Sequence, residues 1–417
     1  MSVNDQMRVG MEEATRLTRE GRLSEATAVI QRTLGGSAVP ATDDAGGADG
    51  SIKAISPVVS EGQPPTSPSQ ASPTERTLRQ TPRPPRSFRG TMPGSLGVGA
   101  MPVDRADTRG SAGGRFVERS YTNRFGTRAY KLYIPSGYIG QAVPLIVMLH
   151  GCTQSPDDLA TGTRMNLLAE EHTFLVAYPA QAAAVNSSRC WNWFEAADQQ
   201  RGRGEPSLIA GITCEVVGEY HVAADRVYVA GMSAGGAMAA IMGATYPDLY
   251  AAIGVHSGLA PGAAHDLPSA FSAMRQGQPS TNRRNARTGG SARTLPAILF
   301  HGDRDTTVHP RNGDYLLTHH WTANRGTPDA TGGEAPRVRE RRGRVSGGYA
   351  YTCATYHDAN GRAIVERWTV HGLGHAWSGG SLPGSYTDPK GPDASAEMLR
   401  FFHEHPLRGV STGQPIA

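Results

Sequence analysis

The sequence predicts an α/β protein built on a mostly parallel central sheet with helices on both faces. Three observations predict it. Five short runs are apolar without alternation, at Pro144–Leu149, Phe174–Tyr178, Val227–Ala230, Ala251–Val255 and Ala297–Phe300, as strands covered on both faces require. Helical patterns fall between and after them, at Met165–Glu171, Leu208–Tyr220, Ala234–Thr245 and Asn312–Asn324, and such crossovers bring successive strands in parallel. The stretch Val227-Tyr-Val-Ala-Gly-Met-Ser-Ala-Gly-Gly236 passes from strand to helix through a single sharp turn.

Taken in order, the chain begins with a predicted helical hairpin over residues 1–35. Met7, Met11, Ala14 and Leu17, then Leu23, Ala26, Ile30 and Leu34, stand at helical spacing on either side of Glu20-Gly21-Arg22, and Ser24 is placed to cap the second helix. Two helices this short bury no core of their own, so they must dock on the main domain, self-associate or bind something. Residues 36–114 turn to Pro, Ser, Gly and Arg and lose all apolar periodicity, which predicts a disordered linker. The main domain is expected over residues 115–407, followed by a short tail, 408–417. It opens with an antiparallel hairpin (Arg115–Tyr121 and Arg128–Ile134). It closes with a second hairpin (Tyr349–Tyr356 and Ala363–Val370) and the helix Ala394–His403. Gln276 to Arg293 is polar enough to read as an exposed loop.

Composition excludes several function classes. Hydrophobic residues make up 38% of 417 residues and aromatics 7%, low enough that part of the chain must lie outside any core. The net charge of +4 rests on arginine, since only Lys53, Lys131 and Lys390 are lysines, and is too small for a dedicated nucleic-acid surface. No apolar run is long enough to span a bilayer, and the N-terminus lacks the order of a secretion signal, so the default compartment is cytoplasmic. Cys152, Cys190, Cys214 and Cys353 are too dispersed for a zinc site. A Cys152–Cys190 bridge stays open should the protein meet an oxidising environment.

The chemistry gathers around Ser233. Gly-x-Ser-x-Gly alone is weak evidence in a chain with 51 glycines. Set between a strand and a helix it is stronger, because that turn pushes a serine hydroxyl out above the sheet. A serine needs a base to take its proton and a carboxylate to orient the base. Asp303 and Asp305 stand in the loop after the Ala297–Phe300 strand; Asp305 is preferred, since Val308 can anchor its loop to the core, and Asp303 is assigned to the turn. His375, in a glycine-loosened loop before Trp377, is the expected base, and His371 is read as structural. Gly372 and Gly374 break the helix that a metal pair at these histidines would need, so no metal and no cofactor is expected. Oxyanion donors are expected from the amides of Ala234 and Cys152, the latter in His150-Gly-Cys-Thr-Gln154, with His150 bracing the loop.

Six ordered motifs now stand together: His150-Gly-Cys-Thr-Gln, Arg189-Cys-Trp-Asn-Trp-Phe194, Gly231-Met-Ser-Ala-Gly-Gly, His301-Gly-Asp-x-Asp-x-x-Val, Gly374-His-Ala-Trp-Ser-Gly-Gly and Ser385-Tyr-Thr-Asp-Pro-Lys-Gly-Pro-Asp-Ala-Ser. Over residues 116–405 the chain resembles the polyhydroxybutyrate depolymerase family of carboxylic esterases, related to feruloyl and acetylxylan esterases. The resemblance implies an α/β-hydrolase fold and hydrolysis of short-chain 3-hydroxyalkanoate polyesters or oligomers, with Ser233, Asp305 and His375 as triad. It implies substrate contacts by Trp191 and Trp193, although core packing suits at least one of the two. Secreted members carry signal peptides and substrate-binding modules, neither of which is seen here, so an extracellular site rests on the resemblance alone. A feruloyl or acetyl ester of a polysaccharide is the nearest alternative substrate. In another class stands a non-catalytic protein whose N-terminal hairpin contacts a polymer granule or a protein partner; an intact set of nucleophile, acid and base argues against it.

Overall fold

A computed structural model describes residues 113–277, 294–324, 337–358 and 360–407, together with Val9, Gly10, Glu13, Arg16, Leu17, Val29 and Thr33. The expected linker and tail, most of the N-terminal hairpin, and the loop over 278–293 lie outside the described residues. Chain contacts divide the protein into one unit of residues 1–38 with 104–417 and a second of residues 39–103.

The uninterrupted apolar runs form the middle of a ten-stranded sheet. The strands are β1 (Arg115–Asn123), β2 (Gly126–Ile134), β3 (Val143–Leu149), β4 (Leu175–Pro179), β5 (Val222–Met232), β6 (Ala252–His256), β7 (Ala297–Gly302), β8 (Arg337–Arg344), β9 (Ala350–His357) and β10 (Ala363–His371). Their order across the sheet is β1-β2-β4-β3-β5-β6-β7-β10-β9-β8. From β4 to β10 neighbours run parallel, and the antiparallel hairpins close the two ends.

Alternation within the parallel strands divides the core in two. Leu145, Val147 and Leu149 of β3, Val227 and Val229 of β5, and Ala297 and Leu299 of β7 face one cluster; the residues between them, Ile146, Met148, Tyr228, Ala230, Ile298 and Phe300, face the other. The first cluster is covered by α3 (Gly204–Glu219), α4 (Ala234–Thr245), α5 (Leu267–Gln276) and α6 (Arg311–Asn324). The second is covered by α1 (Pro156–Thr163), α2 (Met165–His172) and α7 (Ala394–Glu404), whose Phe402 stacks on Tyr228 at 4.7 Å. This is the expected arrangement of helices on both faces. Phe402→Ala would remove about 3–5 kcal/mol from that face.

Among the elements not anticipated are α1, α5 and β8. α1 and α5 are short, and β8 carries Arg337, Arg339, Arg341, Arg342 and Arg344 with both faces exposed. Such an edge strand shows no period of two to read, and its charges blunt edge-to-edge pairing. Arg341 lies over the Trp368 ring at 5.1 Å, which ties the strand to the sheet.

Candidate active site

The turn between β5 and α4 holds Ser233 at φ +56° and ψ −120°, a conformation costly for any residue with a side chain. Its neighbours explain why it persists. A Cβ at Gly231 would lie 2.3 Å from Gly235 O, and one at Gly235 would lie 2.0 Å from Leu149 O and 2.6 Å from His150 O. Only glycine lets β3, β5 and α4 approach this closely. Ser233 N donates to His256 O at 2.9 Å, so the end of β6 anchors the turn.

Asp305 and His375 arrive from the ends of β7 and β10. Asp305 Oδ1 accepts hydrogen bonds from Thr307 N at 2.9 Å and Val308 N at 2.8 Å, while Oδ2 faces His375 Nδ1 at 2.7 Å. His301 Nε2 stands 3.4 Å from the same oxygen and 2.7 Å from Val308 O. Burial alone would raise the Asp305 pKa, but His375 and His301 outweigh it and hold the carboxyl well below the usual carboxylate range. A permanently ionised Asp305 keeps the proton on His375 Nδ1 and leaves Nε2 as the basic nitrogen. Asp303 makes a different pair. It accepts from Gly372 N at 2.7 Å and meets His371 Nδ1 at 2.9 Å, both side chains being more than a third exposed. Asp303 thereby joins the loop after β7 to the end of β10 rather than bonding its own turn.

The loop after β3 is braced from within. His150 Nδ1 reaches Gly151 O at 2.7 Å, and its Nε2 accepts from Gln181 N at 3.0 Å, an arrangement that needs the neutral ring. Burial pushes its pKa down to about 4. Gln154 Oε1 accepts from Gly151 N at 2.9 Å, and a disulfide joins Cys152 to Cys190. The Cys152 amide donates to no protein acceptor among the described residues. Ala234 is the first residue of α4, where no intrahelical acceptor exists.

Ser233, Ala234, Cys152 and His375 all line one cavity. Among the described residues no Asp, Glu, Lys or Arg lines it. Trp193 forms part of the wall, whereas Trp191 does not: it is fully buried and its Nε1 donates to His150 O at 3.0 Å. The expected substrate contact by Trp191 is therefore corrected; its ring fills the core behind the loop after β3. Among the described residues no three His, Cys, Asp or Glu side chains are grouped to hold a metal.

A second part of the lining was missed. Leu267, Ala270, Phe271 and Met274 of α5 line the cavity at positions i, i+3, i+4 and i+7, a spacing readable in the sequence. Tyr386 also lines it, at a φ of +53° that no local pattern announces.

Residues 128–346 match the family described as Esterase PHB depolymerase. A poly(3-hydroxyalkanoate) depolymerase C of Paucimonas lemoignei is 34% identical over 61% of this chain and 60% of its own length. A probable acetylxylan esterase A of Neosartorya fischeri is 28% identical over 52% of this chain and 62% of its own. The chain thus spans about three fifths of these relatives. A solved acetyl xylan esterase from Aspergillus awamori superposes with a TM-score of 0.53 at 22% identity, over 69% of this chain and 99% of that one, which indicates the α/β-hydrolase fold. No described helix is long and apolar enough to cross a membrane.

Proposed function

This chain belongs to the esterase PHB depolymerase family, and from that premise we propose that it is a serine esterase cleaving short-chain 3-hydroxyalkanoate polyesters or their oligomers. One observation carries the reading: a buried Asp305–His375 pair and a serine held in a strained turn meet at a cavity whose described lining holds no charged side chain from Asp, Glu, Lys or Arg. Ser233 Oγ attacks the ester carbonyl while His375 Nε2 takes its proton, and Asp305 stabilises the imidazolium. The tetrahedral oxyanion is met by the amides of Cys152 and Ala234. Collapse breaks the C–O bond; the leaving alcohol takes the proton from His375 and the acyl group stays on Ser233. Water, deprotonated by the same nitrogen, then releases the acid and frees the serine.

Apolar walls from Trp193, Phe271 and Met274 suit a neutral, methyl-bearing ester unit. The disulfide at Cys152 suits an oxidising compartment better than the cytoplasm. Similarity to an acetylxylan esterase supports a second reading, an acetyl or feruloyl ester of a polysaccharide. A panel of polyhydroxybutyrate, hydroxybutyrate oligomer, acetylated xylan and feruloylated sugar separates the two. Highest kcat/KM on hydroxybutyrate esters is expected; a clear preference for either sugar ester would refute the assignment.

A further inference from the structure

The wall that carries Trp193 lies in an irregular segment between β4 and α3, yet a buried carboxylate organises it. Glu205, the second residue of α3, is only 3% exposed. Its Oε2 accepts from Asn192 N at 2.8 Å, and its Oε1 accepts from Asn192 Nδ2 at 3.2 Å, from Gln181 Nε2, and from the Arg128 guanidinium at 3.4 Å. Every described polar contact to these oxygens comes from a donor, an arrangement that favours the ionised carboxylate. Burial, then Asp198, push the Glu205 pKa up to about 7, while Asn192, Gln181 and Arg128 pull it back. The charged groups facing it are Arg128 from β2 and Asp198, whose Oδ1 accepts from Glu205 N at 2.6 Å.

The bonds do not stop at this cluster. Gln181 Nε2 also donates to Cys190 O at 2.9 Å, and Asn186 Nδ2 donates to Asn192 Oδ1 at 2.9 Å. Asn186, Cys190 and Trp193 all line the cavity. An irregular segment has no ladder to set its backbone, so these bonds decide where the indole of Trp193 stands. We propose that Glu205 is a positioning residue for ester hydrolysis, fixing through Asn192 and Gln181 the Trp193 wall against which the substrate binds. The inference rests on the serine-esterase reading and adds to it a residue that touches neither substrate nor triad.

A double-mutant cycle with p-nitrophenyl butyrate tests it. Wild-type turnover is read first: its absence overturns the esterase reading, and this inference with it. Glu205→Gln keeps the volume but turns an NH₂ toward a donor, so KM is expected to rise on the order of tenfold with kcat within about threefold. Because Glu205 acts through Trp193, adding Glu205→Gln to Trp193→Ala should raise KM by no more than about threefold beyond Trp193→Ala alone. Additive effects on KM, or equal damage to kcat, would overturn the positioning role. Should Glu205→Gln not fold, Asn192→Leu removes the Nδ2 donor while both buried charges stay paired, and it runs through the same cycle under the same criteria.

Discussion

Replacing the Asp305 carboxylate by a carboxamide changes one atom's chemistry and leaves the site's shape. In Asp305→Asn the side-chain carbonyl oxygen would keep the two amides of Thr307 and Val308, because that corner of the loop offers only donors. The new NH₂ would then face His375 Nδ1, where Oδ2 stood at 2.7 Å. An N–H aimed at Nδ1 favours the tautomer in which Nδ1 accepts and Nε2 carries the proton, so the nitrogen that takes the serine proton in the proposed mechanism cannot receive one. The loss should be about 10⁴-fold in kcat, or about 5.4 kcal/mol of barrier at 1.36 kcal/mol per decade. Asp303→Asn disturbs only the exposed His371 pair and should cost less than about threefold, as surface pairs contribute little. Steady-state hydrolysis of p-nitrophenyl butyrate by the two purified variants decides it. Asp305→Asn with turnover within tenfold of wild type, or Asp303→Asn as the more damaged of the two, would refute the assignment of the acid.

The remaining predictions concern the frame and the pocket. The Cys152–Cys190 bridge closes 38 residues, so Cys190→Ser should cost up to about 4 kcal/mol of stability by the loop-entropy estimate and depress kcat by loosening the Cys152 amide; a calorimetric Tm and kcat both unchanged would contradict this. His150 and His256 are buried with pKa values pushed down by desolvation to about 4 and about 3. Both must stay neutral in the fold, so stability should be full above about pH 6.5 and fall as the pH drops below it, through protons taken up by the unfolded chain; a Tm flat from pH 7 to 4.5 would count against it. Phe271→Ala enlarges the pocket on its α5 side and should shift the kcat/KM ratio of octanoate to butyrate esters toward octanoate by roughly fivefold or more. An unchanged ratio would remove α5 from the substrate site.

Much of this arrangement could be read from the chain because buried parallel strands leave runs such as Ile146–Met148 and Tyr228–Ala230 that carry no polar face. The proposed triad was read from order along the chain and from Val308, whose side chain lies in the core and whose amide donates to Asp305 Oδ1. Other features depend on contacts distant in sequence. Trp191 and Trp193 are identical in type and two positions apart, and only the position of His150 O separates a core residue from a wall residue. Glu205 reads as a helix-start glutamate until Arg128 and Asn192 are brought against it. The arginine-rich β8 has no apolar side at all, and it becomes a strand because β9 offers an unpaired edge. The α5 pattern was legible, and what hid it was the short polar context around an amphipathic helix of ten residues.

The central claim is that Ser233 carries the acyl group between two half-reactions. Rapid quenching of the enzyme with p-nitrophenyl butyrate, followed by intact-mass and peptide analysis, reads this directly. One butyryl group on the peptide containing Ser233, absent in Ser233→Ala together with a fall in kcat of about 10⁴-fold or more, is the result expected. Label on another residue, or Ser233→Ala turning over at near the wild-type rate, would contradict it.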